Sequence, residues 1–234
     1  MKKVIIVCIA IVLFTGLAQT NAFAQKGFRI GIVGGPQIST LYNKDDFAKD
    51  NIVYEGKLTI NQNEGLALGY NFTSKVGLGL DIRYSQQGQR YTIDWAAANP
   101  ILAGTPKSEF YQKNNYIKIP LMLTINTNPD KATMFVFKIG PQLSLLTRSI
   151  EKTDLSLAPS IDRSDYYSKL DYGAVIGLGA RIRLMSVLFL DAGLRVDADF
   201  TNAENTSYAF YNSSRASTTS ASAGLDLGLH LLIK

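Results

Sequence analysis

The stretch YIKIPLMLTI, residues 116–125, carries the two-residue period that decides the fold. Its odd positions from 117 onward are all aliphatic, whereas Lys118, Pro120 and Met122 are among the even ones. This alternation predicts a β-strand with one apolar face. Because proline cannot donate a hydrogen bond to a neighbouring strand, we expect a bulge or bent register at Pro120, with Pro141 as a second candidate.

The same alternation recurs along the chain and predicts eight strands. They cover residues 28–33, 65–72, 76–84, 117–125, 135–143, 172–183, 188–197 and 222–231. Most are close to the ~9–11 residues with which a tilted strand crosses a bilayer. Helical periodicity is nearly absent, so the pattern indicates an all-β protein.

Long and short connections alternate between these strands. The long polar segments are Ser39–Asn63, Gly88–Asn114, Thr147–Leu170 and Phe200–Thr219, and the short links are residues 73–75, 126–131 and 185–186. This rhythm predicts an eight-stranded antiparallel up-and-down transmembrane β-barrel, with tight periplasmic turns, long outer loops and both termini in the periplasm. A soluble periplasmic β-sandwich is the architectural alternative, because it too hides one apolar face.

The N-terminus has the features of a signal peptide. Two lysines precede an apolar run over residues 4–17, and Ala22-Phe23-Ala24 offers a cleavage site. We therefore expect residues 1–24 to be removed on export and residues 25–234 to form the outer-membrane barrel domain.

Charge and cysteine content exclude several classes of function. Without the two lysines of the signal, 22 basic residues face 19 acidic ones, a balance of +3 that is too even to predict nucleic-acid binding. The single cysteine, Cys8, lies in the signal, so the mature chain has no disulfide, zinc cluster or cysteine nucleophile. No cofactor is expected.

The polar face of the predicted strands is rich in glycine. Glycine weakens an exposed strand but makes room inside a small closed barrel, so we interpret this face as the lumen. Charges of both signs stand among the glycines, which predicts a buried network that plugs the barrel. The predicted lumen charge network consists of Arg29, Asp81, Arg83, Lys118, Lys138, Arg181, Arg183, Asp191, Arg195, Asp197 and Asp226. A narrow, cation-lined solute channel is the alternative.

Three stretches resemble one known family. Residues 31–42 (GIVGGPQISTLY), 116–121 (YIKIPL) and 140–144 (GPQLS) are similar to strands of the PorT-like small outer-membrane β-barrels of Bacteroidota. The resemblance covers essentially the whole mature chain and implies a barrel. The expected partners of such a barrel are outer-membrane lipid, lipopolysaccharide and the barrel-assembly machinery. The founding member is associated with protein secretion across the outer membrane, so an accessory role in secretion is one alternative.

Catalytic and metal-binding patterns are weak. His230 is the only histidine, and Asp226 and Ser222 lie roughly 13 and 27 Å from it along the same strand, too far for a catalytic triad. We therefore expect that the protein is not an enzyme. A lipid-modifying enzyme is the alternative. The loop carboxylates lack the spacing of a calcium loop: Asp45, Asp46, Asp50, Asp154, Asp162 and Asp165.

The outer loops are left as the candidate functional region. They combine polar residues with the aromatic side chains of Tyr91, Trp95, Phe110, Tyr111, Tyr166, Tyr167, Tyr208, Phe210 and Tyr211. Such a mixture suits contact with an extracellular polymer, protein or lipopolysaccharide, although the rings could equally pack against each other to order the loops. The leading hypothesis is a non-enzymatic outer-membrane barrel that acts through its loops or as an envelope component.

Overall fold

The computed structural model describes residues 26–46, 54–94, 97, 101, 104–127, 131–153, 159–209 and 211–233. None of the described helices is long and apolar enough to cross a membrane. The strands are β1 (Gly27–Asn43), β2 (Tyr54–Lys57), β3 (Thr59–Asn71), β4 (Val76–Ile93), β5 (Ser108–Asn126), β6 (Thr133–Thr153), β7 (Ile161–Asp162), β8 (Leu170–Arg183), β9 (Leu188–Asp199) and β10 (Thr218–Ile233). A short 3-10 helix covers Ser164–Tyr166.

Eight of the strands form a closed antiparallel ring. Each of β1, β3, β4, β5, β6, β8, β9 and β10 pairs with its neighbour in the chain, and β10 pairs back with β1. The short β2 and β7 pair with the outer ends of β4 and β6. The predicted all-β, eight-stranded antiparallel architecture is therefore confirmed.

The stagger of the ring sets its width. A path that starts at Phe28 and follows paired residues once around the ring returns to β1 at Ile38, a stagger of 38 − 28 = 10 residues. With ~3.3 Å per residue and ~4.8 Å between strands, this corresponds to a tilt of about 40° and a radius of about 8 Å. The path runs through Tyr70, Leu78, Leu123, Ile139, Ile176, Val196 and Ala223. A ring this narrow has room for little more than its own side chains.

The two faces of β5 show which side meets the membrane. Leu121 and Leu123 point outward and are 43% and 41% exposed, whereas Lys118 and Met122 point inward and are 1% and 2% exposed. The other seven ring strands repeat this arrangement, with apolar side chains exposed on the outer surface. A water-exposed surface of this kind would be costly, so the apolar outer face fits hydrocarbon.

Aromatic side chains mark the end of the barrel that carries the short turns. The Phe28 and Tyr70 rings lie 4.8 Å apart, and the Tyr70 and Phe72 rings lie 5.4 Å apart. The first residue of β1, Gly27, and the last residue of β10, Ile233, lie at this same edge of the barrel. Aromatic residues commonly occupy the boundary between hydrocarbon and water in outer-membrane barrels.

Several strands are longer than predicted, because they continue into segments that the sequence suggested were loops. Strand β1 runs on to Asn43, β4 to Ile93 and β6 to Thr153. In the extensions of β4 and β5, inward residues such as Gln87 and Asn114 are polar and buried, and their neighbours in sequence are not apolar either. The alternation that identified the lower parts of the strands is therefore lost although the strands continue.

The β-bulge expected at Pro120 lies elsewhere. Pro120 pairs with Gln142 without a change in register, and the register of β5 and β6 shifts instead between Asn115 and Tyr116. The extra residue is Thr147, whose hydroxyl donates to the Asn115 carbonyl at 2.9 Å. The missing N–H of the proline is thus accommodated without a change of pairing.

Strands β5 and β6 approach each other closely beside the second proline. Pro141 pairs with Ala174 in unchanged register. At the preceding position, a Cβ on Gly140 would lie far inside van der Waals contact with the carbonyl oxygen of Leu121. Only glycine permits this approach of the two backbones.

Candidate functional site

The interior of the barrel begins with an apolar floor near the short turns. Met134, Val136, Phe189 and Leu232 point inward there and form one buried cluster. On β6 and β10 they alternate with outward apolar residues. Apolar packing excludes water from this end of the lumen.

Above the floor, Asp226 on β10 joins two cations from β4 and β6, each three strands away around the ring. Its Oδ1 accepts a hydrogen bond from Arg83 Nη2 at 2.7 Å, and its Oδ2 accepts one from Lys138 Nζ at 3.0 Å. Arg83 also contacts Asp81 at 2.8 Å. The glycine-rich wall lets these long side chains reach across the narrow lumen.

A second carboxylate, Asp191, binds cations in the part of the lumen nearer the floor. Arg181 donates to both of its oxygens, from Nε at 2.6 Å and from Nη2 at 2.7 Å. Lys138 Nζ lies 3.4 Å from the same carboxylate and thereby links it to Asp226. A bidentate arginine–carboxylate pair is among the strongest polar contacts that a protein can make.

The third carboxylate of this charged band, Asp197, lies farther from the floor than Asp191 on the same strand. Lys118 Nζ donates to it at 2.5 Å, Arg195 Nε at 3.3 Å and Ser222 Oγ at 3.0 Å. Lys118 also lies 3.6 Å from Asp199. Each buried cation in this part of the band therefore has at least one carboxylate partner, as its burial requires.

Nine of the eleven residues predicted for the lumen charge network take part in these ion pairs. Arg29 is also buried and inward, but within the described part of the chain its Nε has no hydrogen-bond partner. Arg183 lies half-buried at the end of β8, beside a short turn. Asp199 was not predicted as part of the network, although it has the same parity as Asp197 and extends the same inward face by one position.

His230 lies on the inward face, close to the floor, and is buried. Its Nε2 lies 3.3 Å from Asp191 Oδ2, which already binds arginine. Ser222 donates to Asp197, and Asp226 accepts from Arg83 and Lys138. The serine and aspartate considered as partners in a triad are thus engaged elsewhere.

A neutral polar layer covers the charged band. Gln112 Nε2 donates to Ser149 Oγ at 2.6 Å, and Ser149 Oγ donates to Asn114 Oδ1 at 2.7 Å. Beneath them lies Tyr116, which is fully buried. On the other side of the barrel, Asn43 Nδ2 donates to Thr218 Oγ1 at 2.8 Å. These amide and hydroxyl side chains pair with one another across neighbouring strands, whereas Gln87 Oε1 and Asn115 Oδ1 have no hydrogen-bond partner among the described residues.

Above this layer the barrel opens into a cavity of about 600 Å³. We call it the outer cavity. It is lined by Gln112, Glu151, Arg163, Tyr166, Tyr167, Glu204, Asn205, Tyr208, Tyr211, Asn212 and Arg215. Its volume falls within the ~300–1,000 Å³ range of small-ligand sites.

The bulge at Thr147 helps to build one wall of the outer cavity. One extra residue reverses the parity of β6, so Glu151 turns to the cavity side. Arg163 Nε donates to Glu151 at 3.1 Å, and the Arg163 guanidinium lies 4.8 Å from the centre of the Tyr166 ring. The Tyr208 ring lies 4.2 Å from that of Tyr166, so the two rings pack against each other.

Arg215 holds the opposite wall. Its Nε donates to Glu204 at 3.0 Å, and its Nη2 donates to Asp46, in the segment after β1, at 2.7 Å. Partial burial lowers the pKa of Arg215, but the hydrogen bonds and charges of the two carboxylates raise it more, so the net pKa is above the usual arginine value. Asp45 accepts from the backbone N–H of Ala216 at 2.7 Å and fixes the same junction.

The loop aromatics divide into two groups. Tyr166, Tyr167, Tyr208 and Tyr211 line the outer cavity. Contrary to the prediction that they lie in loops, Tyr91, Phe110 and Tyr111 belong to the extended strands β4 and β5, where the Tyr91 and Phe110 rings stack at 4.8 Å and Arg90 lies 4.5 Å from the Tyr111 ring. Trp95 and Phe210 lie outside the described residues.

The loop carboxylates are dispersed. Asp45 and Asp46 bind the junction at Arg215, Asp162 accepts from the backbone N–H of Ser164 at 2.9 Å, and Asp165 is exposed. Over the described ranges, no group of three histidine, cysteine, aspartate or glutamate residues could hold a metal ion. Asp50 and Asp154 lie outside those ranges.

Several known proteins are similar to this chain. Neisserial surface protein A is 14% identical with a TM-score of 0.45, over 90% of this chain and 99% of that one. OprG from Pseudomonas aeruginosa is 13% identical with a TM-score of 0.45, over 89% and 98%. The protease OmpT from Escherichia coli is 8% identical with a TM-score of 0.36, over 92% and 99%. No curated protein matches the sequence.

Residues 18–202 match the family described as "Outer membrane protein beta-barrel domain". The match covers well over half of the 234 residues and seven of the eight ring strands. This chain therefore belongs to the outer membrane protein β-barrel domain family and is a protein of the outer membrane.

Proposed function

We propose that this chain is a non-enzymatic outer-membrane barrel with a plugged lumen, which binds an extracellular ligand or partner in its outer cavity. In this proposal it is a PorT-like member of the family and leaves the cytoplasm by a cleaved signal peptide. Its two ends and short turns face the periplasm, whereas the outer cavity faces the surroundings of the cell.

The observation that carries the proposal is the pairing of the buried cations in the lumen. Arg83, Lys118 and Arg181 are each 1% exposed and each contacts an aspartate. A solute that crossed the barrel would have to separate these pairs, and a buried charge that loses its partner costs about 3–5 kcal/mol. The ion pairs therefore favour a plug over a channel.

The absence of enzymatic activity is argued from the surroundings of His230. A general base must reach the hydroxyl that it activates, but Ser222 donates to Asp197 instead. His230 itself is buried among the charges above the floor. A lipid substrate would have to displace this packing to reach the imidazole.

The first experiment tests whether the protein is a closed barrel and whether its lumen conducts ions. Outer-membrane fractions are compared by gel electrophoresis with and without boiling, and the purified protein is placed in planar bilayers. We expect a shift in mobility on boiling, as a closed barrel resists detergent, and no stepwise conductance. Reproducible conductance steps would contradict the plugged lumen.

Orientation and catalysis need separate tests. The mature chain has no cysteine of its own, so Ser213→Cys in the last outer segment and Ser186→Cys in a short turn can be labelled on intact cells with a membrane-impermeant maleimide. We expect labelling of the first variant alone.

His230→Ala is expected to leave the lipid profile of the outer membrane as in the unmodified strain, and a changed profile would support an enzyme.

A further inference from the structure

We propose that the outer cavity binds a neutral oligosaccharide. This inference rests on the proposed function, because it requires the cavity to face the outside of the cell. Three properties of the cavity wall support it, namely its aromatic rings, its balance of charge and its rigidity.

The aromatic faces suit the carbon–hydrogen faces of sugar rings. Tyr166 is 37% exposed, and its ring packs against that of Tyr208 with the centroids 4.2 Å apart at an angle of 37°, so each ring covers one face of the other and the pair lines the cavity with its edges and the outer face of Tyr208. Tyr167 and Tyr211 line the same cavity. Tyrosine offers apolar contact together with a hydroxyl that can bond to the ligand. A flat ring with apolar faces and polar edges fits such a wall.

The charges of the wall argue against an ionic ligand. Two arginines and two glutamates line the outer cavity, and they are paired with one another: Arg163 with Glu151 at 3.1 Å and Arg215 with Glu204 at 3.0 Å. Asp46 adds a second negative partner to Arg215. A phosphate, sulfate or carboxylate would therefore have to compete with existing carboxylates for either arginine. A neutral ligand meets no such competition.

The polar side chains of the cavity wall can form hydrogen bonds with the hydroxyl groups of a sugar. A sugar hydroxyl both donates and accepts a hydrogen bond, so it needs donors and acceptors on one wall. Arginine supplies donors, glutamate supplies acceptors, and Gln112, Asn205 and Asn212 supply both. At about 600 Å³ the outer cavity has room for about two or three sugar rings.

The wall is held in place before any ligand binds. Arg215 ties the last outer segment to the first through Asp46, and Asn205 Nδ2 donates to the carbonyl of Asp165 at 2.9 Å, across two segments. An ordered site loses less conformational entropy on binding than a mobile one. Weak individual contacts to a sugar can then add up to measurable affinity.

The test uses the mature full-length protein in a zwitterionic detergent, because glucoside detergents would compete for a sugar site. Titration calorimetry measures binding of maltotriose, cellotriose and triacetylchitotriose, with a sialic acid trimer, a heparin tetrasaccharide and trialanine as comparators. We expect at least one neutral trisaccharide to bind and the charged probes and the peptide not to bind. Tyr166→Ala and Tyr208→Ala are each expected to weaken binding about tenfold or more.

Tyr111→Ala is the matched control, since this tyrosine lies at the same end of the barrel but outside the cavity. It is expected to leave the affinity unchanged. Tyrosine fluorescence of the unmodified protein gives a measurement that needs no variant, and it is expected to change with the bound neutral sugar. Equal loss in Tyr111→Ala and Tyr208→Ala would overturn the assignment of the site.

Failure of this inference is distinct from failure of the proposed function. No binding of any neutral probe up to millimolar concentration, or binding of the charged probes or peptide alone, overturns the saccharide assignment when Ser213→Cys is labelled on intact cells. Protection of Ser213→Cys from the reagent overturns both, because the outer cavity would then face the wrong compartment.

Discussion

The lumen and the outer cavity contain the same kinds of ion pair, but in different settings. In the lumen, Arg83 and Lys118 have side chains that are 1% exposed, whereas in the outer cavity those of Arg163 and Arg215 are 27% and 33% exposed. In the lumen, strands opposite one another are close enough for long side chains to meet, so the ion pairs fill the space. In the outer cavity the walls are farther apart, so similar pairs line a space and leave their edges accessible.

This difference teaches that pairing alone does not decide between a plug and a binding site. Ion pairs in a desolvated interior must be complete, since loss of one partner leaves a buried charge. Partly exposed pairs contribute little to stability and can exchange hydrogen bonds with water or a ligand. The comparison makes graded predictions, from the lumen outward.

The largest effect is expected from Asp226→Ala. It leaves Arg83 with one carboxylate, Asp81, beside its hydrogen bond to Asn63, and removes one of the two carboxylate partners of Lys138, so the free energy of unfolding should fall by about 3–5 kcal/mol. Urea unfolding in lipid vesicles, followed by mobility on unboiled gels, measures this change.

Its control is Arg148→Ala, which removes an outer ion pair with both side chains 59% exposed. We expect the unfolding midpoint of this variant to stay that of the unmodified protein. Equal losses in the two variants would mean that the lumen network is as solvated as the surface, contrary to the comparison drawn above.

The next effect concerns the backbone that brings the lumen side chains together. In Gly140→Ala the new methyl group would collide with the carbonyl oxygen of Leu121, and we expect a loss of about 1–3 kcal/mol in the same unfolding assay. Gly79→Ala is the matched control, because its methyl group would lie 3.7 Å from the nearest atom. If both variants unfold alike, then close approach of β5 and β6 does not stabilise the barrel.

A smaller, local effect is expected at the outer cavity. Arg215→Ala removes the contacts to Asp46 and Glu204 and should weaken the junction by about 1 kcal/mol, with the barrel below unchanged. Hydrogen exchange at the backbone amides of Ala216 and Thr218 should accelerate about fivefold. Lys107→Ala, which breaks an exposed pair with Asp94, should leave those two rates as they are.

The smallest effect is a pH dependence at Tyr91. Its hydroxyl donates to Asp46 at 3.3 Å, and burial together with that carboxylate raises the pKa of Tyr91 above its usual value. A raised pKa stabilises the folded loop fully below about pH 10, the ordinary tyrosine value, and this contribution is lost as the pH rises further. The protection of backbone amides near Asp46, taken relative to the base-catalysed exchange of an unstructured chain, should therefore fall at alkaline pH, and Tyr91→Phe should reduce that fall.

Much of the barrel could be predicted from the residues. Alternation in YIKIPLMLTI correctly placed Leu121 and Leu123 outward and Lys118 inward, because each strand has one apolar face. The same parity put the eleven predicted charges on one face. It failed in the outer extensions, where Gln87 and Asn114 face inward beside neighbours that are also polar.

The pairing of charges could not be predicted. Asp226 meets Arg83 from β4 and Lys138 from β6, which are far from it in sequence. Which cation reaches which carboxylate depends on the ten-residue stagger of the ring, and that stagger is a sum over all eight strand pairs. A change of register at any one pair would rearrange the network.

The sequence by itself thus determined the class of the protein, its strands and the inward face, because two-residue periodicity acts within each strand. The tertiary structure alone decided the partners in the lumen, the position of the bulge at Thr147 and the grouping of Tyr166 with Tyr208 in one cavity. These features depend on closure of the ring, which brings residues together that no local pattern relates.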